Sequence, residues 1–227
     1  MHNYNAFKKE PFMFKLSRII CCLFFTASIM GQPQQELPEP YNQVELLPFH
    51  SHGFYSNAQP IESLIRMYNV KTIIEVGCWL GTSTRHMASL LPESGKVYAV
   101  DHWKGSAEHQ LGQTYWLPIL PLLYEQFLSN VIHAGLTDKI VPVRMDSLNA
   151  AKELSSIVPD LIYIDAGHDY ESVYADLNAW YPLVQGHGIL CGDDWGMPGV
   201  QSAVKQFTRE RGLRIDASGF FWRVIEQ

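Results

Sequence analysis

Two short acidic clusters carry the strongest chemical signal in this chain. Asp165-Ala-Gly-His168-Asp169-Tyr170 follows the apolar run 160–164, and Gly192-Asp193-Asp194-Trp195 follows the apolar run 188–191. If the two runs are neighbouring strands, Asp165, Asp193 and Asp194 converge at one end of them. Like charges at that distance repel, and burial raises the cost, so a cation or a shifted pKa must compensate. Oxygen donors with room for water suit Mg²⁺, Mn²⁺ or Ca²⁺ better than zinc, and Mg²⁺ is the ion expected first. The plainer alternative is that Asp193 and Asp194 shape a loop and cap the next helix. His168, three residues after Asp165, is placed at the head of the following helix. A neutral imidazole there takes a proton from a substrate hydroxyl, or is simply a solvated histidine at a helix start.

A second set of residues has the makings of a nucleoside pocket. Glu75-Val-Gly77-Cys78-Trp79-Leu-Gly81-Thr82-Ser83-Thr84 places two glycines in a turn between an apolar run and a helix. The glycines let the backbone turn tightly, and the helix offers free amides. Trp79 breaks the dinucleotide fingerprint GxGxxG, which argues against a nicotinamide enzyme. Asp101, about 20 residues on and followed by His102, has the position to accept from ribose hydroxyls. Asp146-Ser147 could meet the edge of a base, although Asp146 reads equally as a helix cap.

The elements that must hold these residues alternate. Strands are expected at 71–76, 96–100, 140–144, 160–164 and 188–191, with helices at 61–68, 83–91, 148–157, 169–183 and 200–211. A Ser or Thr is available to cap the helix from 83. A longer helical stretch over 115–134 is interrupted by Pro118 and Pro121. Runs 213–216 and 220–225 form a closing antiparallel hairpin. This is an α/β fold, a doubly wound, mostly parallel seven-stranded sheet with an antiparallel C-terminal hairpin, whose ligands bind at the carboxyl ends of its strands.

The chain has 227 residues, 47% hydrophobic and 18% charged, with a formal charge of −6. That is enough for one sizeable domain, and it is not a disordered composition. Four of the 17 basic residues (Lys8, Lys9, Lys15, Arg18) precede position 32 against one acid, Glu10, so the body is more acidic still. Such a body lacks the basic footprint for nucleic acid. Residues 1–31 read as a signal-peptide-like segment, with basic residues before a roughly 12-residue apolar run that is too short to span a membrane. Residues 32–49, rich in Pro, Gln and Glu, read as a linker, and 50–227 as the domain. Cys78 and Cys191 are expected to be buried free thiols. His50, His52, Trp103, Tyr115 and Trp116 are candidates to cover the cleft.

On these residues the body, roughly 50–225, resembles the class I S-adenosylmethionine-dependent methyltransferases. Within them it is most similar to the metal-dependent O-methyltransferase branch that includes macrocin-type sugar methyltransferases and, more distantly, catechol O-methyltransferase. The resemblance implies S-adenosylmethionine bound by Glu75, Gly77, Cys78, Trp79, Gly81, Thr82, Ser83, Asp101, His102, Asp146, Ser147 and Asp165. It implies a divalent cation on Asp165, Asp193 and Asp194, with His168 as the base. The branch closest to catechol O-methyltransferase carries lysine in place of His168, which favours a sugar-like acceptor. Trp79 departs from the glycine usual at its position. The partner expected is a small-molecule hydroxyl acceptor, a vicinal diol, sugar or catechol, and a homo-oligomer is compatible with all of this. A non-catalytic, exported binding module on the same scaffold is the alternative. The N-terminus points to export or membrane association, whereas supply of the cofactor points to the cytoplasm.

Overall fold

Alternation of side chains along the strands decides which residues face which helix layer. The computed structural model describes residues 36–106, 109, 112 and 117–226. The signal-peptide-like segment, residues 32–35 and the cover candidates Tyr115 and Trp116 lie outside them. In β1 (Thr72–Val76), Ile73 and Glu75 face one layer, and Ile74 and Val76 the other. In β4 (Leu161–Ile164), Leu161 and Tyr163 oppose Ile162 and Ile164 in the same way. Both strands are buried on both faces, which is why they read as continuous β-branched and apolar runs.

The remaining strands are β2 (Lys96–Asp101), β3 (Ile140–Arg144), β5 (Ile189–Gly192), β6 (Arg214–Ser218) and β7 (Phe221–Ile225). They form one seven-stranded sheet in the order β3-β2-β1-β4-β5-β7-β6. All pairs are parallel except β5 with β7 and β6 with β7. The strand order reverses between β1 and β4, so the crevice above their carboxyl ends is where this architecture takes a ligand.

Helices α1 (Ala58–Tyr68), α2 (Thr82–Leu90) and α3 (Leu123–His133) cover one face of the sheet. Helices α4 (Ser147–Glu153), α5 (Tyr170–Trp180) and α6 (Pro198–Arg211) cover the other. Phe127 and Phe207, one in each layer, have no exposed surface, and such burial stabilises by ~1.5–3 kcal/mol each. Cys78 and Cys191 are free and buried. No helix among the described residues is long and apolar enough to cross a membrane.

Three local features differ from the expectation. The prolines confine the third long helix to Leu123–His133, preceded by a single 3-10 turn at Leu120–Leu122. Helix α2 is capped by no hydroxyl, because its N-cap is Gly81 in the left-handed region at φ 78°. Finally, the stretch read as a linker is fastened to the domain. The Tyr41 hydroxyl, buried, donates to the Ile140 carbonyl at 2.8 Å. Residues 47–50 run along α3, where Ser129 Oγ accepts from Leu47 N and Asn130 exchanges two hydrogen bonds with the His50 backbone.

Candidate active site

The glycine turn after β1 is held from both sides. Gly77 N donates to the Val100 carbonyl and Asp165 N to the Val76 carbonyl, each at 2.8 Å. Gly77 lies at φ 90°, and a Cβ there would run into the Asp165 main chain. Glycine is therefore required at 77 both by conformation and by the close passage of the two loops. Trp79 adopts φ 48°, a left-handed conformation that costs a non-glycine residue ~1–2 kcal/mol.

Asp101 closes this turn. Its Oδ2 accepts from Cys78 N and Trp79 N, both at 3.0 Å, and its Oδ1 accepts from Trp103 N at 2.7 Å. A carboxylate offers about four acceptor sites. The expected ribose acid thus fixes the glycine turn and the turn after β2, and keeps about one site for a ligand. His102 stands next to it, exposed, with Nδ1 accepting from Lys104 N. Cys78 turns its thiol into the core, against the Glu75 and Val100 carbonyls, and burial pushes the thiol well above its ordinary pKa. Only the backbone of Cys78 faces the turn's hydrogen-bonding side.

Glu75 is fully buried. Its Oε1 accepts from the hydroxyl of Ser83, in the first turn of α2. Among the described residues, its Oε2 makes no hydrogen bond. Burial raises the Glu75 pKa from 4.5 to about 7, against the opposing hydrogen bond from Ser83. An orphaned carboxylate oxygen below a glycine turn is the kind of group that a cationic ligand atom satisfies, and it fits the ammonium end of an amino-acid-bearing cofactor.

The two residues expected at the base edge serve the fold. Asp146 is exposed and caps α4, with Oδ1 accepting from Asn149 N at 3.1 Å, and the Asn149 hydrogen bonds pull its pKa down. Ser147 donates to Asp176 at 2.5 Å and accepts from Trp180 Nε1 at 2.8 Å.

The acidic clusters meet as the strand order requires. Asp165 follows β4 and Asp193 follows β5. Burial, and then the charges of Asp193 and Asp194, push Asp165 well above the usual carboxylate range. Asp193 Oδ1 accepts from Asp194 N at 2.7 Å, and burial raises its pKa as well. Asp194, left-handed at φ 58°, places Oδ2 2.8 Å from His168 Nε2. Gly199, at the start of α6, lets that helix close on the His168 carbonyl, where a Cβ would collide. Mutually repelling carboxylates are the donor chemistry that a hard divalent cation takes. Among the described residues, no three His, Cys, Asp or Glu side chains already stand together as a ligand set, and Asp194 is turned to His168.

The segment 50–57, in which His50 and His52 are the expected cover residues, reaches the glycine turn through His52. His52 Nδ1 accepts from Trp79 Nε1 at 3.2 Å, and the Trp79 ring lies 4.7 Å from that of His109. Trp103, expected to cover the cleft, is buried against Tyr124 and Phe127, with Nε1 donating to the Trp79 carbonyl. Tyr55, Asn57 and Tyr163 were not singled out by any motif. Asn57 Nδ2 donates to the Tyr163 hydroxyl at 3.2 Å, and burial, then the charges of nearby carboxylates, raise the pKa of Tyr55 and Tyr163.

Comparison with known proteins agrees with this geometry. Residues 74–195, more than half of the chain, match a family model described as a methyltransferase domain, Methyltransf_24. The match runs from β1 through the second acidic cluster. The O-methyltransferase from Bacillus cereus in complex with S-adenosylhomocysteine is similar in structure, with a TM-score of 0.56, 17% identity, and 79% of this chain and 84% of that chain covered. The O-methyltransferase TomG from Streptomyces achromogenes, involved in tomaymycin synthesis and bound to S-adenosylmethionine, gives 0.54, 14% identity and coverage of 77% and 81%. The calicheamicin methyltransferase CalS11 gives 0.56, 17% identity and coverage of 74% and 78%. At such identities the likeness establishes the fold, and the family match establishes the kind of enzyme: the chain belongs to the class I S-adenosylmethionine-dependent methyltransferases, in the Methyltransf_24 domain family.

Proposed function

We propose that this methyltransferase acts on a hydroxyl of a small molecule, a vicinal diol, sugar or catechol, with His168 as the base. The observation that carries the reading is the His168–Asp194 contact at 2.8 Å, beside Asp165 and Asp193 at the carboxyl ends of β4 and β5. His168 is 40% exposed at its side chain, so an acceptor hydroxyl can reach it. The Asp194 carboxylate orients the imidazole and stabilises the imidazolium that forms when the hydroxyl proton is taken.

S-adenosylmethionine supplies an electrophilic methyl group, and the chain's part is to hold the acceptor oxygen in line with it and remove its proton. The glycine turn with Glu75 would hold the amino-acid end, and Asp101 the ribose. Asp165, Asp193 and Asp194 would hold a divalent cation, Mg²⁺ first, which supplies a lowered hydroxyl pKa and a fixed orientation for two adjacent oxygens. Their mutual repulsion supports this assignment.

The test is calorimetric titration with S-adenosylmethionine and S-adenosylhomocysteine, each with Mg²⁺ and with a chelator, followed by methylation of a panel of diols, sugars and catechols. Micromolar cofactor binding and metal-dependent product are expected. Cofactor binding with no product from any hydroxyl compound would overturn the acceptor class.

A further inference from the structure

Asn130 stands in the second half of α3 with no exposed surface. A buried amide is costly wherever a donor or acceptor is left unpaired, and this one pairs both donors and both lone pairs of its oxygen. Its Nδ2 donates to the Leu80 carbonyl and to the His50 carbonyl, both at 2.9 Å. Its Oδ1 accepts from His50 N at 3.0 Å and from Gln126 Nε2 at 3.1 Å. Leu80 belongs to the glycine turn, between Trp79 and Gly81. One side chain of α3 thus holds the main chain of both the turn and the segment before α1.

The segment and the turn meet at further points. Trp79 Nε1 donates to His52 Nδ1 at 3.2 Å. Arg85 Nη1 donates to the Leu80 carbonyl at 2.7 Å, and its guanidinium lies over the Phe49 ring. Gly53, at φ 154°, passes so near the start of α2 that a Cβ there would stand 3.2 Å from Thr82 Oγ1. Among the described residues, no main-chain hydrogen bond joins 47–53 to the turn, so side-chain contacts set how closely the two approach. Trp79, next to Leu80, is held left-handed at φ 48°, and such a backbone persists only where its surroundings over-determine it.

We propose that Asn130 is a positioning residue for cofactor binding: by clamping the Leu80 carbonyl to the His50 main chain it fixes the glycine turn against residues 47–53, which then form one wall of the S-adenosylmethionine site. This rests on the reading that the turn and Glu75 hold the amino-acid end of the cofactor. Asn130, being buried, acts on the cofactor through Leu80 and His50.

The full chain is compared with Asn130→Ala and with Ser129→Ala. Ser129 is the matched control, because its hydroxyl bonds Leu47 and Glu125 from the same helix and not the turn. Three quantities are read: the melting temperature, the affinity for S-adenosylhomocysteine by calorimetry, and amide hydrogen exchange over residues 77–82. Asn130→Ala is expected to bind S-adenosylhomocysteine about 10-fold more weakly, through lost preorganisation. It is also expected to exchange the Cys78, Trp79 and Gly81 amides faster. Those amides donate to Asp101 and to the Cys78 carbonyl, so their exchange reports the turn itself and not a bond to Asn130. Ser129→Ala is expected to keep affinity and turn exchange at wild-type values, whatever its melting temperature. Wild-type affinity in a folded Asn130→Ala, or equal losses in both variants, overturns the proposal. If Asn130→Ala does not fold, hydrogen exchange of the wild-type chain decides. S-adenosylhomocysteine is then expected to slow residues 49–53 together with 77–82, and protection confined to the turn overturns the proposal. A wild-type chain that binds no S-adenosylhomocysteine removes the cofactor reading of the turn, and the role of Asn130 with it.

Discussion

His168 Nε2 lies 2.8 Å from Asp194 Oδ2, and Asp194 holds that position from a left-handed backbone at φ 58°. The pairing fixes the orientation of the imidazole while leaving its side chain 40% exposed. His168→Ala is expected to lower methyl transfer about 10²–10⁴-fold, the usual share of a general base. S-adenosylmethionine affinity should be unchanged, because the glycine turn and Asp101 do not involve His168. Single-turnover kinetics with a responsive acceptor checks this, and an unaltered rate would remove His168 from the mechanism.

Glu75 predicts a pH dependence of stability. Its folded pKa of about 7 stands above its ordinary 4.5, so the folded state holds the proton more tightly than the unfolded state does. Stability from this group is therefore fully present below pH 4.5 and is lost as pH rises through about 7, amounting to about 3 kcal/mol at most. Glu75→Gln should flatten that part of the profile in the ligand-free protein. Asp176, raised by burial to about 6, leaves a smaller slope of the same sign. Thermal melts between pH 5 and 8 decide it, and parallel profiles for wild type and variant would contradict the burial of an ionising Glu75.

What could be read from the sequence follows from how local each signal is. The strands were legible because residues such as Ile73, Ile74, Ile162 and Ile164 are buried on both sheet faces, so β-branched runs announce them. Asp101, Asp165 and Asp193 were legible as site candidates because ligands of a doubly wound sheet sit beyond strand ends. His50 and His52 were legible as candidates to cover the cleft, but the anchoring of residues 47–50 on α3 was not. It depends on Gln126, Ser129 and Asn130, some 80 positions away, and polar residues on a helix do not reveal their partners. Nor could spacing show that the Asp101 carboxylate would be occupied by backbone amides of the turn it faces.

Trp79 allows backbone and side-chain contributions to be separated. The residue carries left-handed strain, while its ring meets His109 and its Nε1 donates to His52. Trp79→Ala keeps the strain and loses the ring contacts, whereas Trp79→Gly loses both. The glycine variant should therefore be the more stable of the two by about 1 kcal/mol. Both should bind S-adenosylmethionine more weakly than wild type if the ring walls the cofactor site. Chemical denaturation checks the first statement and calorimetry the second. Equal stability of the two variants would mean that the turn relaxes when the indole is removed.

Ser147 stands between two assignments that a single variant distinguishes. Its hydroxyl donates to Asp176 and accepts from Trp180 Nε1, and both of those partners are buried. Ser147→Ala removes a donor from a buried carboxyl and an acceptor from a buried indole N–H, and leaves both unsatisfied at a cost of about 1–3 kcal/mol. If the hydroxyl serves only this network, the melting temperature falls and the affinity for S-adenosylmethionine stays within about twofold of wild type once both proteins are folded. A contact with the adenine edge predicts the reverse weighting, a larger loss of affinity than of stability. The backbone amide of Ser147, at the start of α4, is untouched by this substitution, so retained affinity would leave the amide as the group available to the base.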